Sequence, residues 1–184
     1  MKENEDKVLV ARCLKGDQRA YETLVRKYQK TIFNVIYQIV RDFSDAEDLT
    51  QTVFLKVYEN LNKFNDRFKF YSWIYRIAIN EGLNFIQQKK AVYELPEDYA
   101  SLEKAPDRIL NESEIIEQID RALAALDPNY RVLIIMRHFL DLSYKEISDI
   151  LKLPEKTVKS RLYMARQIMA KKIVEKGMDI NEQS

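Results

Sequence analysis

Apolar residues recur at every third or fourth position along most of the chain, a spacing that places them on one face of an α-helix. The longest such stretch covers residues 18–40 and follows Asp17, whose carboxylate is suited to cap a helix start. Its apolar positions are Tyr21, Leu24, Val25, Tyr28, Ile32, Val35, Ile36 and Ile39. The same spacing predicts helices at 6–14, 44–60, 70–90, 112–126 and 128–139. Because only 3 Gly and 4 Pro are present, we expect an all-α fold.

Three short signals mark where helices should begin. Ser44 with Glu47, and Ser143 with Glu146, have the spacing of a capping box. In that motif the hydroxyl accepts from a free backbone N–H and the carboxylate accepts from another. The Asp127-Pro128 pair offers a cap followed by a residue that suits the first helical position.

Residues 91–111 interrupt the helical pattern. They are acidic, contain two of the four prolines and lack sustained periodicity, which is typical of a linker. We therefore predict two small helical domains joined by a flexible acidic linker. The boundaries are residues 1–90 for the N-terminal domain, 91–111 for the linker, 112–176 for the C-terminal domain and 177–184 for a tail.

Charge is segregated along the chain, although the formal net charge is only +1. Residues 63–90 contain six basic and two acidic side chains, and residues 130–176 contain eleven basic and five acidic ones. Between them, residues 94–120 contain two basic and nine acidic side chains. Two basic blocks separated by an acidic one indicate two nucleic-acid surfaces.

Residues 142–169 are the most informative stretch, because they have the pattern of a DNA-binding helix-turn-helix. Ile147, Ile150 and Leu151 form the apolar stripe of a first short helix, and Pro154 suits the first turn of a second. Side chains suited to phosphates and base edges should point outward from that second helix: Glu155, Lys156, Thr157, Lys159, Ser160 and Arg161. A helical hairpin without DNA contact is the alternative.

A second cluster, at residues 64–80, interleaves aromatic with basic side chains. Aromatic faces stack on unpaired bases, and cations follow the strand's phosphates, so the cluster suits single-stranded DNA. The alternative is that most of these rings are core, and we assign Trp73, Ile74 and Ile77 to packing. Lys69, Arg76 and Asn80 are harder to explain as packing.

Several classes of protein are disfavoured by composition. Cys13 and His138 are the only residues of their types, which leaves little for a metal site or a catalytic centre. We expect no metal, no cofactor and no enzymatic activity. The charged N-terminus is unlike a signal peptide, and no stretch approaches the ~20 apolar residues that span a bilayer, so we expect a cytoplasmic protein without membrane insertion.

Three motifs, in order, resemble those of bacterial RNA polymerase sigma factors, specifically the small extracytoplasmic-function group. DAEDLTQTVFLKVYENL is similar to the helix of that group that docks on the polymerase clamp, and FKFYSWIYRIAINEGLNFI to its promoter-melting helix. ALAALDPNYRVLIIMRHFLDLSYKEISDILKLPEKTVKSRLYMARQIM is similar to its C-terminal DNA-reading domain. The resemblance covers roughly residues 7–172.

The resemblance implies a factor that binds core RNA polymerase and directs promoter recognition, DNA melting and transcription initiation. It also implies a monomer that an anti-sigma factor, often membrane-anchored, holds inactive. The implied polymerase-binding residues are Asp45, Asp48, Leu49, Gln51, Phe54 and Leu55. Those implied for single-stranded promoter DNA are Phe64, Arg67, Lys69, Phe70, Tyr75, Arg76 and Asn80. Those implied for duplex promoter DNA are Glu155, Lys156, Thr157, Lys159, Ser160, Arg161 and Arg166.

Two positions depart from the family pattern. Thr52 stands where the family usually has Glu on the clamp helix, and Met164 where the recognition helix often has Arg. The rival from another class is a dimeric helix-turn-helix regulator with an N-terminal dimerisation or sensor domain, which would bind duplex without polymerase. A helical adaptor that binds only protein would leave the charge segregation unexplained.

Overall fold

The structure is a computed structural model that describes the backbone of residues 2–93 and 114–181 and the side chains of residues 5–91 and 118–173. All regular structure in these ranges is helical, which confirms the predicted all-α class. The chain divides into two compact units, Met1–Lys89 and Lys90–Ser184. None of the described helices is long and apolar enough to cross a lipid bilayer. Residues 91–93 of the predicted acidic linker are helical, and the rest of the linker lies outside the described residues.

The N-terminal unit is built from helices α1 (Lys2–Cys13), α2 (Gln18–Val40), α3 (Phe43–Glu59) and nearly all of α4 (Phe70–Tyr93). A 3-10 turn, Leu61–Lys63, follows α3. All four helices contribute side chains to one core, including Val10, Leu24, Ile32, Ile36, Val53, Val57, Phe70, Ile74 and Ala78. The predicted apolar face of α2 is confirmed, with Tyr21 and Val25 at its partly exposed edge.

Close packing of α4 on α2 depends on a glycine. A Cβ added at Gly82 would approach Ile39 Cγ2 to 3.0 Å, and Ile39 is fully buried and β-branched, so it has little freedom to move. Ion pairs join α3 to α4. Lys89 Nζ lies 3.0 Å from Asp45 Oδ2, and Lys56 Nζ lies 2.7 Å from Glu81 Oε1. The two helices are therefore antiparallel, and one side of α3 is fixed against α4.

The start of α3 differs from the sequence prediction. The Asp17 cap of α2 is confirmed, since its Oδ1 accepts from Ala20 N at 3.2 Å. The predicted capping box of Ser44 and Glu47 is wrong, because α3 begins at Phe43 and Asp42 Oδ1 accepts from Asp45 N at 2.8 Å. Arg41 ends α2 in the left-handed conformation, with φ 64°. Only Arg41 and Asp42 separate α2 from α3, so the cap of α3 is Asp42, two residues before the predicted Ser44.

The C-terminal unit contains α5 (Glu114–Ala124), α6 (Pro128–Ile134), α7 (Tyr144–Leu151) and α8 (Glu155–Asn181). A π-helical turn, Ile135–Phe139, continues α6. Buried Arg131 closes the end of α5: its Nε donates to Leu123 O at 3.1 Å and its Nη2 to Leu126 O at 2.9 Å. The core draws on every helix of this unit and includes Leu123, Val132, Leu133, Met136, Ile147, Ile150, Val158, Leu162 and Ala165.

Helices α7 and α8 form the predicted helix-turn-helix. The capping box at the start of α7 is confirmed in both directions: Glu146 N donates to Ser143 Oγ at 3.2 Å, and Ser143 N to Glu146 Oε2 at 2.9 Å. Pro154 precedes the first turn of α8 instead of lying within it, because its carbonyl accepts from Val158 N at 3.0 Å. The opposite face of α8 points outward, because Val158, Leu162 and Ala165 are buried.

Candidate nucleic-acid and protein interfaces

The outward face of α3 combines acidic, amide and apolar side chains. Asp48 and Gln51 are exposed, Leu55 is 64% exposed and Tyr58 is 58% exposed. Spaced three or four residues apart, they lie in one row. Tyr58 was absent from the predicted set, although its helical spacing from Leu55 could have indicated it. An acidic and apolar row of this kind can bind a partner protein that is basic around an apolar groove.

The other three residues predicted for this interface face inward or are engaged. Leu49 and Phe54 pack against the core, which places them beneath the exposed row. Asp45 is paired with Lys89 across the α3–α4 contact. These three residues therefore hold α3 in place, and fewer of the predicted polymerase-binding side chains are exposed than the sequence suggested.

The loop before α4, residues 64–69, presents one aromatic ring and two cations. Asn65 Oδ1 accepts from Arg67 N at 2.9 Å, and Asn65 O accepts from Phe68 N at 3.0 Å, so the loop folds on itself in a tight turn. That turn leaves Arg67 exposed and Phe68 57% exposed. Lys69 Nζ lies 5.3 Å from the centre of the Tyr71 ring. The arrangement offers cations for phosphates beside an open face for base stacking.

The rings predicted to contact DNA differ in how far they are exposed. Phe70 is only 1% exposed, and its ring packs against Phe64 at 5.5 Å and Trp73 at 5.8 Å. The assignment of Phe70 to base stacking is therefore corrected: it belongs to the core, because the first turn of α4 points it inward. Phe64 and Tyr75 are half-buried, and burial raises the pKa of Tyr75 to about 12. Phe68 lies within the 64–80 cluster but is not in the set implied for single-stranded DNA, and it is the more accessible ring.

The polar side of α4 continues this surface. Arg76 is half-buried, whereas Asn80 and Asn84 are exposed. Because these residues are four apart, they form a row along one face of the helix. Because Asn80 is exposed, its amide is accessible to a partner at the surface of the bundle.

The outward face of α8 carries most of the side chains predicted for duplex DNA. Lys156, Ser160 and Arg161 are exposed, and Thr157 is half-buried. Lys159 Nζ lies 2.7 Å from Glu155 Oε1 and 5.4 Å from the centre of the Tyr144 ring. The ion pair raises the pKa of Lys159, so this cation stays charged, and a phosphate would compete with Glu155 for its N–H groups.

Arg166, on the side of α8, contacts the single histidine. Its Nε donates to His138 Nε2 at 3.4 Å. Partial burial and the charges of Arg166 and Arg137 lower the pKa of His138, which favours the neutral ring, whose Nε2 can accept. Arg166 is exposed and lies away from the centre of the outward face, which suits a phosphate at the edge of a groove better than a base.

Comparison with known proteins matches both units to one family. Residues 24–92 match the family profile "Sigma-70 region 2", and residues 116–169 match "Sigma-70, region 4". The RNA polymerase sigma-H factor of Pseudomonas aeruginosa is 32% identical over 183 residues, covering 92% of this chain and 94% of the relative. The ECF RNA polymerase sigma-E factor of Escherichia coli K12 is 31% identical over 180 residues, covering 91% and 94%.

The chain belongs to the extracytoplasmic-function sigma factors. Solved structures share the fold of this sigma factor. CnrH, in complex with the cytosolic domain of CnrY, has a TM-score of 0.69 at 21% identity, covering 90% of this chain and 95% of CnrH. The Bartonella quintana sigma factor RpoE, in complex with the anti-sigma factor NepR, has a TM-score of 0.71 at 18% identity, covering 83% and 96%. The match to Sigma-70 region 2 identifies the N-terminal unit as a sigma-factor domain, and not as the dimerisation or sensor domain of the rival hypothesis. As a sigma factor, the protein initiates transcription with RNA polymerase at promoters.

Proposed function

We propose that this sigma factor divides initiation between three surfaces. The exposed row of α3, formed by Asp48, Gln51, Leu55 and Tyr58, binds core polymerase, with Leu49 and Phe54 holding the helix in place. The loop at 64–69, together with Arg76 and Asn80 on α4, captures the unpaired strand. The outward face of α8 binds the upstream element as duplex.

The observation that carries the strand-binding assignment is the joint exposure of Arg67, Phe68 and Asn80. A ring, a cation and an amide match the three chemical parts of an extruded nucleotide: base face, phosphate and hydrogen-bonding edge. Duplex DNA hides base faces inside the stack, so such a surface is useful only once the strands have separated. This combination distinguishes melting from duplex recognition.

The duplex assignment depends on charge and shape. An α-helix fits the major groove, and α8 presents Lys156, Ser160 and Arg161 there, with Thr157 partly covered. Lys159 and Arg166 lie to one side, where cations contact phosphates and set the register without specifying sequence.

Regulation and location are part of the proposal. An anti-sigma factor covers the DNA-binding and polymerase-binding surfaces of the free protein, which is a cytoplasmic monomer. Support comes from RpoE of Bartonella quintana, which has a similar fold and was solved in complex with an anti-sigma factor.

Asn80→Ala, compared with Asn84→Ala, tests the strand-binding assignment. Both changes remove an exposed amide from the same helix, one turn apart, so each should alter the free energy of unfolding by less than about 0.5 kcal/mol. Asn80→Ala should weaken binding of holoenzyme to the preferred single-stranded non-template sequence roughly three- to tenfold, the worth of one or two hydrogen bonds. It should also flatten base preference at one position and slow transcription from duplex promoters.

Asn84→Ala should leave strand binding and transcription unchanged. Equal losses in both variants would remove the specific role of Asn80. A lower melting temperature with unaltered base preference would identify Asn80 as a packing residue. Polymerase assembly and upstream-element binding are measured in parallel and should not change in either variant.

A further inference from the structure

An apolar side chain is exposed on the outward face of α8. Met164 is 46% exposed, and the neighbouring Tyr163 is 60% exposed. Around them the exposed residues of residues 155–167 are charged or polar: Glu155, Lys156, Lys159, Ser160, Arg161, Arg166 and Gln167. The buried face of this helix is formed by Val158, Leu162 and Ala165, which pack in the core of the unit. The packing of the C-terminal unit therefore does not account for Met164.

The position of Met164 on the helix places it with the residues assigned to bases. It lies four residues after Ser160 and seven after Thr157, and both spacings fall on one face of an α-helix. At a rise of ~1.5 Å per residue, Met164 is about 10 Å beyond Thr157 along the axis. That distance corresponds to roughly three base-pair steps of ~3.4 Å, so Met164 and Thr157 cannot contact the same base pair.

The floor of the major groove has one distinctive apolar group, the 5-methyl of thymine. An unbranched thioether side chain has three rotatable bonds and a polarisable sulfur, so it can adjust to a small apolar partner. Arg and Lys contact guanine or phosphate, whereas Met has no strong donor and gains only from apolar contact. We propose that Met164 contacts a thymine methyl in the upstream promoter element and selects thymine at that position.

This inference rests on the proposed function of α8 as the helix that binds the upstream duplex, and the experiment separates the two. Holoenzyme made with the full-length protein first selects its upstream element from a randomised duplex library. Each selected thymine is then replaced singly by deoxyuridine, which keeps the pairing and removes only the methyl group. Binding is measured for the wild type, Met164→Gln, Met164→Leu and Gln167→Ala.

One thymine should be sensitive to loss of its methyl group. Wild-type affinity should fall roughly fourfold there, the effect of exposing about one methyl group, and Met164→Leu should keep most of that sensitivity. Met164→Gln, of similar length but polar, should bind the thymine and deoxyuridine sites equally. Gln167→Ala is the matched control, because it removes an exposed side chain one turn further on and should leave the sensitivity intact.

Two results would overturn the inference while leaving duplex binding by α8 in place. One is a selected element in which no deoxyuridine substitution lowers affinity, as expected if Met164 contacts a protein instead. The other is a methyl effect of equal size in the wild type and in Met164→Gln. If the library yields no upstream element at all, the proposed function of α8 fails first, and the inference fails with it.

Discussion

At the residue scale, the turn of the helix-turn-helix depends on Lys152 and Ser148. Lys152 adopts a left-handed conformation, with φ 54° and ψ 40°, which costs a non-glycine residue roughly 1–2 kcal/mol. Ser148 offsets part of this cost, because its Oγ donates to Leu153 O at 2.5 Å. The backbone carbonyl of Ser148 accepts from Lys152 N and Leu153 N. Ser148 thus closes the turn with both its side chain and its backbone.

Replacing Lys152 by Gly should stabilise the C-terminal unit. Relief of the left-handed strain, less the greater freedom of Gly in the unfolded chain, should raise the free energy of unfolding by about 0.5–1 kcal/mol. Lys145→Gly on α7 is the matched control, because the same change in ordinary helix should lower stability by up to about 1 kcal/mol. Thermal and urea unfolding should therefore move in opposite directions for the two variants. A loss of stability in both would show that Lys152 has contacts that outweigh its strain.

At the scale of the element, α3 shows how one helix can serve two surfaces. One side is held against α4 through the Asp45 and Lys56 ion pairs, and its buried stripe is the core. The remaining side is left for a partner. Thr52, which stands where the family usually has Glu, donates from its hydroxyl to the Asp48 carbonyl at 3.0 Å. Because threonine is uncharged, Thr52 adds no negative charge to the partner side of α3. Asp48 is the acidic group of the exposed row.

Reversing the charge of Asp48 should separate polymerase binding from folding. Asp48 is exposed, so Asp48→Arg should change stability by less than about 0.5 kcal/mol. Association with core polymerase should weaken more than about tenfold, because like charges then face each other across the interface. Glu22→Arg on α2 makes the same change in net charge at an exposed residue that is not part of the row. Unchanged co-purification of Asp48→Arg with core enzyme, or an equal loss in Glu22→Arg, would contradict the assignment of α3.

At the scale of the whole molecule, a net charge of +1 is compatible with the two proposed DNA-binding surfaces because the charge is distributed unevenly. In the C-terminal unit some of the cations are already engaged: Lys159 with Glu155, and Arg137 with Asp141 at 3.4 Å. Phosphate binding competes with these pairs. The cost is small, because exposed ion pairs contribute little.

The salt dependence of upstream-duplex binding should report how many phosphates the protein neutralises. Each phosphate contact contributes about −0.9 to the slope of log K against log salt concentration. Lys159→Ala together with Arg166→Ala, the two cations placed beside the groove, should therefore flatten the slope measured for holoenzyme by roughly 1.8. Thr157→Ala, which removes no charge, should alter affinity with little change in slope. An unchanged slope in the double variant would mean that neither cation contacts a phosphate.

Much of the fold could be predicted from local chemistry. The face of α2, the Asp17 cap, the Ser143 and Glu146 capping box and the all-α class each depend on residues within one or two helical turns. Such signals are read directly from spacing. The Ser44 and Glu47 prediction failed because two adjacent signals competed, and only the sharp left-handed end of α2 at Arg41 selected Asp42.

What the sequence alone determined was which segments are helical, where charge and aromatic residues concentrate, and the family resemblance. Tertiary packing decided which members of each cluster are available to a partner. Spacing places Phe68 and Phe70 in one aromatic cluster, but packing against α2 and the rest of α4 buries Phe70 and leaves Phe68 exposed. Asp45 and Asp48 are likewise both acidic residues near the start of one helix, and only the approach of Lys89 engages the first. Exposure depends on neighbours distant in sequence, and a local pattern does not specify them.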